Sequence, residues 1–336
     1  MNLVTGSTGI VGIHIMIELL RRGEEVRAMC RKNSDRETVT KVFDFYGEAE
    51  LLKKIEWVEA DILNRDDVDA AAKNVDVIYH SAAMVSFCKR DHATMWATNV
   101  DGTATLVEAA IRNGVSAMCH VSSIGALGKG INGAIVTEDM PWQTDDNHSV
   151  YSQSKFRQEM EVWRGAENGL NVVVVNPGVV LGPGRIDRSS GQIVKTIRRG
   201  TAYYTDGATG YVDARDLAHA MIELTENKHF GQRFIVVADN CEARHIQTLF
   251  ANALGVRPPH KHASHKMLEL AALAAKTASF FTRKRPALTF ESVRAIGGHQ
   301  KYSSEKLKST INLNFRTIED SIQNMTAYFK TTERQK

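Results

Sequence analysis

Three glycines near the start of the chain constrain it more than any other feature. Residues 2–5 read Asn-Leu-Val-Thr, a short apolar strand, and Gly6, Gly9 and Gly12 follow at even spacing. Ile10, Ile13, Ile17 and Leu20 then recur on one face of a helix that Arg21, Arg22 and Gly23 close, and residues 25–31 return to a strand pattern. Strand, glycine turn, helix and strand in that order form half of a dinucleotide-binding unit. Gly6 permits the tight turn, Gly9 admits a pyrophosphate to the backbone, and Gly12 lets the helix pack close to the sheet. Unpaired N–H groups and the positive end of the helix dipole then face the phosphates. The candidate cofactor-binding residues of this turn are Thr5, Gly6, Thr8, Gly9, Ile10 and Gly12.

Strand and helix patterns go on alternating, which predicts right-handed crossovers and a doubly wound parallel α/β sheet. Residues 1–180 are expected to form the dinucleotide-binding domain, with strand and helix returns from about 208–240, and 181–336 a smaller, mostly helical substrate lobe. A chain of 336 residues can bury a full core of this kind. The net charge of +3 is too small to imply a nucleic-acid partner. Cys30, Cys88, Cys119 and Cys241 form no CxxC pair, so reduced thiols and no metal site are expected. The first strand begins at residue 2, which leaves no room for a signal peptide, and no apolar run reaches spanning length; a cytoplasmic protein is the expectation.

At the end of the second strand, NAD enzymes carry an acidic side chain for the ribose hydroxyl and NADP enzymes a cation. Here Cys30 is followed by Arg31 and Lys32, so no carboxylate is available and a guanidinium is placed for a 2′-phosphate. NADP fits better than NAD, which stays open as the alternative. A helix is expected over 38–46, a strand over 55–59 leading into Ala60-Asp61-Ile62, a helix over 66–73, and a strand over 75–79 that ends in His80-Ser81-Ala82-Ala83. The small residues Ser81, Ala82 and Ala83 let the chain pass beside a cofactor. A helix over about 92–112 then carries Asn99-Val-Asp-Gly-Thr103, whose Asn99 should be hydrogen-bonded as a buried amide.

A strand over 116–121 delivers Ser122 and Ser123 to the edge where ligands gather in such sheets. Tyr151-Ser-Gln-Ser-Lys155 follows at the start of a helix, and its i,i+4 spacing puts phenol and ammonium on one face. Ketone reduction needs a proton donor at the carbonyl oxygen. A free phenol titrates near 10, and a neighbouring ammonium lowers that value. Ser123 can hold the same oxygen, and Lys155 the nicotinamide ribose. Tyr302-Ser-Ser-Glu-Lys306 repeats the spacing, but without a serine-bearing strand before it or an apolar strand after it. Catalysis is therefore assigned to Ser123, Tyr151 and Lys155.

These motifs occur in an order that resembles the extended short-chain dehydrogenase/reductase family, within the NAD-dependent epimerase/dehydratase superfamily. They run from Thr5-Gly6 through Asp61-Ile62, Ser81-Ala82-Ala83, Asn99, Ser122-Ser123 and Tyr151-Lys155 to Asn176-Pro177-Gly178-Val179-Val180. The branch it is most similar to holds dihydroflavonol reductases and 3β-hydroxysteroid dehydrogenases. The resemblance implies that Asp61 and Ile62 meet the adenine edge, that Asn99 anchors the active-site wall, and that Pro177, Gly178, Val179 and Val180 meet the nicotinamide carboxamide. It also implies a homodimer through the helices carrying Asn99 and Tyr151, and an NADP(H)-dependent reductase of a ketone. A nucleotide-sugar epimerase holding NAD tightly is the runner-up, and a silent NADP(H) sensor a third reading.

Farther on, residues 203–207 read as an aromatic turn, and 211–218 as the opening of a helix with Asp216 as its N-terminal carboxylate. Residues 255–308 carry eleven Lys/Arg against three Glu, a local +8, leaving −5 for the rest. Within them, residues 266–281 form a helical pattern with Met267, Leu270, Leu273, Ala274 and Phe281 near one face, followed by Arg283-Lys284-Arg285-Pro286. Such a face either packs on the substrate lobe as a lid or lies on an anionic membrane surface. The second possibility goes with a hydrophobic keto substrate.

Overall fold

In the structure, a computed structural model, residues 1–130, 133–144, 148–282, 286 and 288–334 are described. Strand β1 (Asn2–Thr5) leads through the glycine turn into helix α1 (Ile10–Arg21) and strand β2 (Val26–Cys30). There follow α2 (Arg36–Phe45), β3 (Ile55–Glu59), α3 (Arg65–Ala72) and β4 (Val77–His80). Helices α4 (His92–Trp96) and α5 (Gly102–Arg112) are joined by a π-helical turn, Ala97–Asp101, so the single helix expected over 92–112 is interrupted at Asn99. Strand β5 (Ala117–Val121), helix α6 (Val150–Glu167) and strand β6 (Asn171–Pro177) complete the alternation. The parallel sheet has the order β3-β2-β1-β4-β5-β6, and a seventh strand, β10 (Gln232–Val236), returns to pair with β6.

The order reverses between β1 and β4, and the C-terminal strand ends at such a reversal are where doubly wound sheets bind their ligands. Burial explains why the strands read as unbroken apolar runs. Val172, Val173, Val174 and Val175 of β6 are covered on both faces, as parallel strands between helical layers must be. Helix α1 is buried nearly all round because it lies between the sheet and α8 (Ala214–Glu226). Its His14 is a satisfied core residue: Nδ1 bonds the Ile10 carbonyl at 2.7 Å and Nε2 the Tyr46 hydroxyl at 3.1 Å.

Beyond β6 the chain forms β7 (Val179–Leu181), α7 (Gly191–Arg198), β8 (Tyr203–Tyr204) and β9 (Ala208–Asp213) ahead of α8. After β10 come β11 (Asp239–Glu242), α9 (Ala243–Leu254), β12 (Lys261–His262), α10 (His265–Thr282), α11 (Phe290–Ile296), α12 (Glu305–Ile311) and α13 (Ile318–Arg334). Strands β11, β9 and β7 make a second, three-stranded sheet, and β12 pairs with β8. Residues 211–213 thus end a strand instead of opening a helix. Asp213 is the N-cap of α8, accepting the Arg215 N–H at 2.8 Å. Asp216 sits in the first helical turn, where it takes the Arg316 N–H at 2.7 Å and its guanidinium. In α10 the apolar face expected from sequence is exposed, and a smaller-residue face packs inward. Arg283, Lys284 and Arg285 lie outside the described residues.

Candidate active site

The glycine turn has the form that the spacing predicts. Gly6 adopts φ +66°, and a Cβ there would meet the Ala82 nitrogen at 2.7 Å, while a Cβ on Gly12 would meet the Gly6 carbonyl oxygen at 2.3 Å. Side chains are excluded at both places by backbone, which cannot give way. Gly9 is the N-cap of α1, exposed and with no side-chain cap, so the helix start is open to an anion. This cradle fits a dinucleotide pyrophosphate.

The other expected residues sit at the C-terminal ends of successive strands: Thr5 on β1, Arg31 after β2, Asp61 and Ile62 after β3, Ser81 to Ala83 after β4, Ser122 and Ser123 after β5, and Pro177 at the end of β6. Arg31 is exposed, and its N–H binds the Ser34 hydroxyl at 3.0 Å. Asp61 is also exposed and caps the Leu63 N–H at 3.0 Å, whereas Ile62 is buried against Gly102. Ser81 donates to the Thr5 carbonyl at 2.8 Å. Gly178 crosses the second sheet so closely that a Cβ would meet the Gly210 oxygen at 2.3 Å. Val179 and Val180 follow in β7. The Asn99 amide is fully used. It accepts the Met84 N–H at 2.7 Å and donates to the Met84 carbonyl and the Ser154 hydroxyl, each at 3.0 Å, pinning the post-β4 loop to α6.

Ser123, Tyr151 and Lys155 come together at the β5 end. The Ser123 hydroxyl accepts the Gly125 N–H at 3.0 Å and also hydrogen-bonds the Tyr151 phenol. Phe87 stands edge-on to the Tyr151 ring at 5.9 Å between centroids. Lys155 is buried, and its Nζ donates to the Val121 carbonyl at 2.8 Å and to Gln158 Oε1. Burial lowers its pKa to about 7, with the Glu159 carboxylate opposing the fall. From sequence, the ammonium was expected to lower the phenol. Here burial pushes Tyr151 up and the Ser123 bond pulls it back, while the Lys155 ammonium donates to Val121 and Gln158.

Four residues of this centre were missed from sequence: His80, Thr103, Gln158 and Glu159. Gln158 Nε2 donates to Thr103 Oγ1 at 2.9 Å, Thr103 Oγ1 meets His80 Nε2 at 2.8 Å, and His80 Nδ1 meets Thr5 Oγ1 at 2.7 Å. A buried polar chain therefore joins the glycine turn to Lys155. Burial, with the Lys155 charge, lowers the His80 pKa to about 3, so the ring is neutral. Glu159 is buried and accepts Ser122 Oγ at 2.6 Å, Asn176 Nδ2 at 3.0 Å, Trp163 Nε1 at 3.1 Å and Arg233 at 3.2 Å. The available signal was two polar residues three and four positions after Lys155, on the helix face that should be apolar. Arg36 was missed as well: its guanidinium lies 4.7 Å over the Trp57 ring and 3.1 Å from Cys30 Sγ, a second cation at the β2 end.

The second Tyr-x-x-x-Lys copy is built into the core. Tyr302 packs on Leu127, Val136, Ile235 and Val237, and its backbone exchanges hydrogen bonds with the Asn240 side chain. Lys306 donates to the Arg233 carbonyl at 3.0 Å and covers the Phe234 ring. A surface cavity of about 340 Å³ between α1 and the C-terminal helices, lined by His14, Tyr46, Arg215 and Arg316, lies away from Tyr151.

Residues 2–238 match the family described as NAD dependent epimerase/dehydratase. The chain is 27% identical over 332 residues to sterol demethylase protein B of Methylococcus capsulatus, covering 98% of each chain. It is 24% identical over 336 residues to 3beta-hydroxysteroid-dehydrogenase/decarboxylase isoform 1 of Arabidopsis thaliana, covering 92% of this chain and 74% of that one. The crystal structure of gox2253 superposes with a TM-score of 0.83 at 27% identity, over 100% of this chain and 99% of that one.

Proposed function

The chain belongs to the NAD dependent epimerase/dehydratase family, and we propose that within it the protein is an NADP(H)-dependent oxidoreductase that interconverts an apolar ketone and its secondary alcohol. The observation that carries this reading is the hydrogen-bonded Ser123–Tyr151 pair, with Lys155 one helical turn along α6, at the strand ends beside the glycine cradle. NADPH held in the glycine cradle would supply the hydride. Tyr151 gives its proton to the carbonyl oxygen, Ser123 holds that oxygen as charge develops on it, and the Lys155 ammonium stabilises the phenolate left behind.

Arg31, exposed where an NAD enzyme has a carboxylate, supports NADP, with Arg36 beside it. Thr5, Gly6, Thr8, Gly9, Ile10 and Gly12 would hold the pyrophosphate, Asp61 and Ile62 the adenine, and Pro177 to Val180 the carboxamide side. An apolar substrate accords with the sterol and steroid names of the two relatives. The epimerase reading is separated by the ultraviolet absorbance of purified protein after gel filtration. The reductase releases its nicotinamide and oxidises NADPH with a panel of ketones. Nicotinamide that survives filtration, with no ketone turnover, refutes the proposal.

A further inference from the structure

Helix α10 buries the wrong face for a helix that only packs on its own protein. Leu268, Ala272, Ala275 and Ser279, spaced four, three and four apart, turn inward as buried or half-buried residues. On the opposite side Met267, Leu270, Ala274, Thr277 and Phe281 recur at three and four, with Leu273 beside them. Leu270 is 67% exposed, Leu273 51% and Phe281 78%. An ordinary amphipathic helix puts its larger apolar side chains inward, whereas here the inward face is Leu268 with small residues, and Leu270, Leu273 and Phe281 are more than half exposed. Contiguous apolar exposure of this kind marks an interaction surface. Phe290, on the neighbouring helix α11, extends it.

Charge identifies the occupant. The exposed cations Lys266 and Lys276 stand on α10 itself, Arg294 on the adjoining α11 and Lys261 on β12 just before α10 in the chain, and the single acid on α10, Glu269, is 3.4 Å from His265. Two copies meeting through this face would set these exposed cations against one another. An anionic lipid surface neutralises the same cations while the stripe enters its interfacial layer. No helix among the described residues is long and apolar enough to cross a membrane, so contact of α10 with a bilayer would run along its surface. We propose that α10 docks the protein on an anionic bilayer through Met267, Leu270, Leu273, Ala274 and Phe281.

The docking face is tied to the catalytic helix. Glu291 of α11 accepts the Val150 N–H, next to Tyr151, and lies 3.3 Å from His92. A docked α10 therefore holds the start of α6 near the lipid, where an apolar ketone would be dissolved. The docking itself rests on the surface alone and stands whatever the reaction is.

Flotation with phosphatidylcholine vesicles, with and without phosphatidylglycerol, at low and high salt, tests it. The protein floats with the anionic vesicles, and less so as salt rises. Leu270→Glu with Leu273→Glu lowers the bound fraction at least about tenfold, as expected for removing two buried leucines. The milder pair Leu270→Ser and Leu273→Ser gives an intermediate loss, and both variants keep the wild-type melting temperature because neither position is packed. Wild-type protein that stays in solution with anionic vesicles at low salt overturns the proposal. So do glutamate variants that float like wild type, or a wild-type dimer that the same variants dissociate in the absence of lipid.

Discussion

Replacing Glu159 by glutamine tests whether the buried carboxylate behind Lys155 does what its geometry implies. Oε2 accepts Ser122 at 2.6 Å and Asn176 at 3.0 Å, and Oε1 accepts Trp163 at 3.1 Å and Arg233 at 3.2 Å. Glutamine keeps one acceptor oxygen. Its NH₂ group does least harm at the Oε2 position, because the Ser122 hydroxyl can turn to accept and Asn176 retains the Ser123 carbonyl at 3.1 Å. Arg233 then loses its counter-charge but is partly in water. About two charge-assisted bonds weaken, so we expect a loss of about 2–3 kcal/mol in urea unfolding. The second effect is electrostatic. Residues four apart on a helix face are about 6 Å from each other, where opposite charges are worth about 3 kcal/mol at an effective dielectric constant of about 20. Lys155 titrates at about 7 with Glu159 present. Without that charge it should lose its proton about one to two pH units lower, moving the basic limb of kcat for ketone reduction by that amount. A stability loss below about 0.5 kcal/mol together with an unmoved basic limb would refute both parts of the reasoning.

Arg31→Ala should raise KM for NADPH by one to two orders of magnitude, about 1.5–3 kcal/mol for a lost charge-assisted pair, and leave NADH kinetics nearly unchanged. Equal loss with both cofactors would remove Arg31 from the 2′-phosphate. Acid should destabilise the fold well above the carboxylate range. His14, His80 and His120 are buried with pKa values lowered to about 4, about 3 and well below the usual 6.5. The unfolded chain takes up protons near pH 6.5 that the native state refuses, so stability present at pH 7 falls as pH drops below 6.5, by up to about 4 kcal/mol per pH unit near pH 5. Urea midpoints at pH 7 and pH 5 measure this, and His14→Gln should reduce the slope by about a third. A midpoint as high at pH 5 as at pH 7 would contradict it.

The sheet was legible in the sequence because buried parallel strands must be unbroken apolar runs and the turns between them need particular glycines. Residues 55–59 were read as a strand with the observed ends. The strand-end positions of Thr5, Arg31, Ser123 and Pro177 follow from that alternation alone. The connections between elements behaved differently. The π turn at Asn99 is fixed by the Met84 loop and Ser154, neither of them local to it. Residues 211–213 have a helix-compatible pattern, but pairing with β7 and β11 makes them a strand. The polar chain from Thr5 through His80, Thr103 and Gln158 to Lys155 joins residues far apart in sequence, and nothing in the spacing of any one segment announces it. Periodicity found the larger apolar face of α10, but whether it or the face carrying Ala272 and Ser279 is covered depends on tertiary contacts.

The central claim is that Tyr151, and not its mimic Tyr302, donates the proton at a site bearing NADPH. The direct measurement is the steady-state rate of NADPH oxidation with an accepted ketone for Tyr151→Phe and Tyr302→Phe, beside NADPH affinity by fluorescence titration. The account predicts that Tyr151→Phe lowers kcat at least about a hundredfold, the scale of a lost general acid, with NADPH affinity nearly unchanged. Tyr302→Phe, which removes a hydroxyl from an apolar cluster, should keep kcat within about twofold. Full turnover in Tyr151→Phe would contradict the account, as would a loss confined to Tyr302→Phe.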